Sequence, residues 1–119
     1  MKEIKNAKIV GTTLGNEDHG IFVLSIHLDY GGSGQSFGNF CLDEPIKKNG
    51  KFVGRFGTAV GMDAIMRILE VLGVDSWEQL PGTVLRVESD FGRVYRIGHF
   101  MKDKWFDSEK HFEKWGIKN

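Results

Sequence analysis

Apolar residues recur along this chain with two different periods. From Ile21 to Tyr30 the period is two: Phe22, Leu24, Ile26, Leu28 and Tyr30 fall on one side, and Ile21, Val23, Ser25, His27 and Asp29 on the other. That alternation predicts a strand whose first set faces a core. From Ala59 to Leu72 the period becomes helical. Val60, Ala64, Ile65, Ile68, Leu69 and Leu72 form one stripe, Thr58 or Gly57 can cap its start, and Gly73 follows as a stop.

Shorter patterns fill in the rest. Glu3 to Leu14 reads as a first strand, closed by a turn over Gly15–Gly20. Gly31–Ser36 is a Gly-rich loop, Phe37 to Leu42 a short strand, and Asp43 to Lys51 a polar stretch expected to be a mobile loop. After the helix, Asp75 can cap a short turn through Leu80, with Glu78 as its capping-box partner. Thr83–Ser89 and Arg93–Phe100 form a hairpin around Asp90-Phe91-Gly92. In it Leu85, Val87, Tyr95 and Ile97 would share a core face, and Arg86, Glu88 and Arg96 the opposite one. Asp107 can cap a last amphipathic helix, Ser108 to Trp115. The order strand, strand, strand, helix, strand, strand, helix implies an α+β fold. An antiparallel sheet of about five strands carries the long helix on one face and a short C-terminal helix, in a single domain over residues 1–119.

Composition narrows the function classes. With 40% hydrophobic residues and 12% aromatics the 119-residue chain can build a core and does not resemble a disordered one. Lys+Arg and Asp+Glu both number 16, so the basic surplus of a general nucleic-acid binder is missing. The single cysteine, Cys41, rules out a disulfide within the chain, and its place in Phe40-Cys41-Leu42 suggests a buried, inert thiol. Met1-Lys2-Glu3-Ile4-Lys5 has no apolar leader core, and no apolar run reaches membrane-spanning length. A cytoplasmic protein is expected.

The candidate chemistry centres on the start of the long helix. Arg55 precedes free helix N–H groups, so Arg55, Gly57 and the Thr58 hydroxyl could hold phosphate, with Gly54, Gly57 and Gly61 allowing close approach. Phe56 or Tyr30 could stack on a base, and Arg86, Arg96 and His99 are further ligand-binding candidates. The same glycines also suit tight turns, and Arg55 a solvated surface. The stretch lacks the Gly-Lys-Ser/Thr end of a Walker loop. The Gly31–Ser36 loop could cradle phosphate or simply connect strands. Asp18, His19, His27, Asp29 and His99 could ligate a metal or act as acid and base, yet a solvated polar face explains them equally. Trp105, Phe106, Phe112 and Trp115 either close the core or form an oligomer contact, together with Met62, Met66 and Val71 on the outer side of the helix. No catalytic residue, metal site or cofactor is assigned.

Several short motifs also carry a resemblance. Thr13-Leu14-Gly15, Glu17-Asp18-His19-Gly20-Ile21, Gln35-Ser36-Phe37-Gly38, Arg55-Phe56-Gly57-Thr58-Ala59, Trp77-Glu78, Arg86-Val87-Glu88, Ile97-Gly98-His99 and Lys104-Trp105-Phe106-Asp107 resemble a family of small, uncharacterised phage and prophage proteins. The resemblance implies an accessory protein acting in the host cytoplasm against host defence, without a catalytic residue to carry over. The leading expectation is therefore a binding protein, with a homodimer as one assembly, that sequesters an anionic small molecule such as a nucleotide signal. A protein–protein inhibitor of a host defence complex, in the manner of an anti-CRISPR, is the alternative, and a metal-dependent hydrolase comes third.

Overall fold

The computed structural model describes residues 1–116. Strands β1 (Glu3–Asp18), β2 (Ile21–Asp29) and β3 (Gly34–Cys41) run into β4 (Asp43–Lys48) and β5 (Lys51–Gly57). Helix α1 (Ala59–Leu72) and a 3₁₀ turn at Trp77–Gln79 follow, then β6 (Val84–Ser89), β7 (Val94–His99), β8 (Trp105–Asp107) and α2 (Ser108–Lys114). The fold is α+β and antiparallel, as the alternation predicts. Among the described residues it has eight strands rather than about five, in two sheets: six in the order β3-β2-β1-β6-β7-β8, and β4 with β5 as a separate ribbon.

The long first strand serves two neighbours. Its first half pairs with β6, from Glu3↔Ser89 to Lys8↔Val84, and its second half with β2, from Lys8↔Asp29 to Asp18↔Ile21. A register shift between Ile9 and Gly11 changes which residues face inward. Before it Ala7 and Ile9 are buried; after it Thr12 and Leu14 stand opposite the buried Ile26 and Leu24. The strand runs four residues past its expected end at Leu14. The turn falls on His19 and Gly20, both at positive φ (53° and 87°).

The six-stranded sheet is strongly curled. Laid flat, its outermost strands would lie about 24 Å apart, five spacings of about 4.8 Å. Instead Phe37 of β3 meets Phe106 of β8 edge to face, with centroids 6.1 Å apart. Phe40 lies 5.5 Å from Phe112 of α2, and Gln35 Nε2 donates to the Asp90 carbonyl at 3.0 Å, across the same gap. The sheet is thus an incompletely closed barrel with phenylalanines filling the opening. Ile9, Leu24, Ile26, Leu85, Val87 and Ile97 are fully buried inside it, and Ala64, Ile68 and Leu72 of α1 join the same cluster. Of the four C-terminal rings, Phe106 and Phe112 close the core and Trp115 stays half-exposed.

Helix α1 keeps its expected limits. Thr58 Oγ1 accepts from the Gly61 N–H at 3.0 Å, and Gly73 ends the helix in the left-handed region (φ 75°). Val71, expected on the outer side, is buried, because it lies one turn beyond Ile68 on the inner stripe; Met62 and Met66 are exposed. In the following turn the capping group is Gln79, not Glu78: its Oε1 accepts from the N–H groups of Asp75 (2.8 Å) and Ser76 (3.1 Å). Asp107 caps α2 through the Lys110 N–H at 3.2 Å, as expected.

The stretch Asp43–Lys51, expected to be a loop, is a strand and the turn after it. Asn49 (φ 53°) and Gly50 (φ 77°) form a two-residue reversal, and β4 pairs with β5 from Asp43↔Gly57 to Lys48↔Lys51.

Candidate functional site

The start of α1 is filled by the chain's own groups. Arg55 donates from Nε to Asp43 Oδ2 (2.6 Å) and from Nη2 to Asp43 Oδ1 (3.0 Å), a bidentate pair across the base of the ribbon. Asp43 is buried, and also accepts from the Phe22 N–H at 3.2 Å and from Cys41 Sγ at 3.2 Å. The Arg55 hydrogen bonds, aided by those of Cys41 and Phe22, outweigh desolvation and hold its carboxyl at about 2. Thr58 is committed as well: its hydroxyl donates to the Leu42 carbonyl at 3.0 Å while capping the helix. Gly61 faces protein and not ligand, since a Cβ there would collide with the Leu42 carbonyl oxygen. Two recesses remain on this side. One of about 310 Å³ brings together three of the expected residues, Arg55, Phe56 and Gly57, with Asn16, Phe22 and Asp43. A smaller one of about 210 Å³ is bordered by Thr58, Cys41 and Phe112. In the first, the Arg55 fork is closed by Asp43.

Cys41 is exposed rather than buried. Its thiol lies against Asp43, donating to that residue's carbonyl at 2.9 Å, and partial burial with the neighbouring carboxylate pushes its pKa up. It is therefore a protonated, weakly nucleophilic thiol at neutral pH.

The other expected ligand-binding residues lie elsewhere. Tyr30 donates from Oη to Gln35 Oε1 (2.6 Å), lies under Lys5 (4.8 Å to the ring), and lines a separate recess with Asp90. Arg86 and Arg96 share the outer face of the barrel. Arg86 donates to the carbonyls of His99 (2.9 Å) and Lys102 (2.8 Å), binding the β7–β8 turn. The same turn uses His99, whose Nδ1 accepts from the N–H groups of Met101 and Lys102 (3.0 and 2.9 Å). Both guanidinium groups stack on Trp105, Arg96 at 4.1 Å and Arg86 at 4.9 Å from the ring. Trp105 can lie flat because its cross-strand partner is Gly98, where a Cβ would come within 2.6 Å of the indole.

The His and Asp candidates do not gather. Asp18 and His19 pair with each other at 2.9 Å. His27 sits between the Thr13 and Ser36 hydroxyls (3.0 and 2.9 Å). Among the described residues no three His, Cys, Asp or Glu side chains are placed to hold a metal ion.

The feature missed in the sequence is the ribbon. Phe52 (59% exposed), Val53 (54%), Phe56 and Ile46 display apolar side chains along it, and Lys47, Lys48 and Lys51 crowd its tip. None of these lysines forms an ion pair among the described residues. Asn49-Gly50 between two partly apolar runs is the signal that could have revealed it.

Comparison with protein-family models, curated proteins and solved structures returns no match, and so nothing that bears on the resemblance to small phage proteins. Among the described residues no helix is long and apolar enough to cross a membrane.

Proposed function

We propose that this chain is a binding protein that docks on another protein through the β4–β5 ribbon. Its partner would present an apolar pocket within an acidic rim. The observation that carries this reading is the exposure of Phe52 and Val53 on a ribbon whose tip holds three lysines. A two-stranded hairpin is marginal in water unless something packs on it. Exposed apolar residues edged with charge mark contact surfaces, and a rigid aromatic is the usual anchor of one. The Asp43–Arg55 pair fixes the ribbon's base, which lowers the ordering cost of docking. On the phage resemblance, the partner would be a component of a host defence complex.

Affinity capture from host lysate tests this. The wild-type chain should retain one dominant partner, and Arg55→Ala, at the base of the ribbon, should weaken capture less than a change among the exposed residues nearer its tip. Phe52→Ser with Val53→Ser, or Lys47→Glu with Lys48→Glu and Lys51→Glu, should each reduce capture by about tenfold or more while the circular dichroism spectrum is kept. Undiminished capture by both ribbon variants would overturn the proposal.

A further inference from the structure

A second feature is independent of the ribbon. A cleft of about 340 Å³ runs beside β8, between the C-terminal half of α1 and helix α2. Arg67, Arg96, Lys110 and Lys114 line it, against the carboxylates of Glu70 and Asp107. Arg67 is already engaged by Glu70 at 2.8 Å, and Asp107 by its capping of α2. Lys110 and Lys114 form no ion pair among the described residues, although they lie one helical turn apart on a helix of seven residues. Like charges at that spacing oppose helix formation, and a bound anion would relieve them.

Arg96 is the best-organised of the four cations. Its Nε is tied to Glu88 Oε1 at 3.2 Å, and its guanidinium plane is held 4.1 Å from the Trp105 ring centroid. Both Nη groups are without a protein hydrogen bond among the described residues. An arginine restrained in this way loses little freedom when its fork takes a phosphate. The contrast with Arg55 is direct, since there the fork is closed by a carboxylate.

We infer that this cleft binds a small phosphorylated anion of at least two charges, with Arg96 as the fork and Lys110 and Lys114 as supporting charges. Trp105 positions Arg96 rather than stacking on the ligand, because both of its flanking guanidinium groups are already in place. The phosphate groups are what the cleft reads, and inorganic pyrophosphate is therefore a sufficient probe.

Calorimetry with pyrophosphate at physiological salt should show saturable binding of one ion per chain. Lys110→Ala with Lys114→Ala should weaken it about tenfold, by removing two charges from the cleft. Arg96→Lys, which keeps the charge and removes the fork, should weaken it by a similar factor. Lys47→Ala with Lys48→Ala, on the distant ribbon, should leave it unchanged. Absence of saturable binding by the wild-type chain would overturn the inference. So would an equal loss in the ribbon-lysine variant, which would mark the effect as general surface charge. The double-alanine change is confined to the surface side of α2, so it stays informative even if Arg96→Lys disturbs the outer face.

Discussion

Val87 and Val94 are buried in the barrel, whereas Val53 in the ribbon is more than half exposed, with Phe52 beside it. The two regions draw on the same residue types and hold them by different means. The barrel is stabilised by area removed from water, about 25 cal/mol per Å² of apolar surface. The ribbon buries almost nothing along its length and depends on a two-residue turn at its tip and the Asp43–Arg55 pair at its base. Its apolar side chains therefore add little to folding.

The largest test of this contrast is Phe106→Ala. Phe106 is buried and touches Phe37, Phe40 and His111 where the curled sheet fails to close. Its loss should cost about 3–5 kcal/mol, read as a lower urea midpoint. The next is Asp43→Asn, which acts where the regions join. The Asp43 carboxyl is held at about 2 in the folded chain, below its ordinary 3.8. Its contribution is therefore complete above pH 4 and disappears as the pH falls from about 4 to about 2. Thermal melts should show the variant less stable at pH 7, with the difference closing across that interval. The smallest effect belongs to Phe52→Ser with Val53→Ser. The pair should shift stability by no more than about 0.5 kcal/mol, as exposed positions do. A loss as large as that of Phe106→Ala would mean that the ribbon is part of the core and would remove the distinction.

Much of this architecture can be read from the chain. The α1 stripe, the Thr58 and Gly73 caps, the core face of β2 and the β6–β7 hairpin follow from local periodicity and capping chemistry, except that Val94 and not the expected Tyr95 joins the core, because the register shifts between Glu88 and Ser89. The capping of the 3₁₀ turn by Gln79 rather than Glu78 is a one-residue difference that several polar side chains in a row leave undecided. The candidate site is less legible, for a physical reason. Arg55 looks like a free guanidinium until Asp43, twelve residues earlier, is brought opposite it by a turn. Arg96 looks like one charge among many until Gly98 makes room for Trp105 to lie beside it. Both pairings depend on strand register, which residue type alone does not state.

The strand order of the ribbon has a consequence for solubility. An isolated β-ladder carrying exposed phenylalanine and valine invites other chains to add to it and grow into fibres. Here β4 offers Pro45, which has no N–H, and adjacent lysines at positions 47 and 48, while β5 carries the extra residue, Val53, of the irregularity facing Ile46 and Lys47. An incoming strand meets a missing donor and mutual repulsion along one border and a kink along the other. The protein can thus keep a greasy surface on show at high concentration while discouraging its own polymerisation.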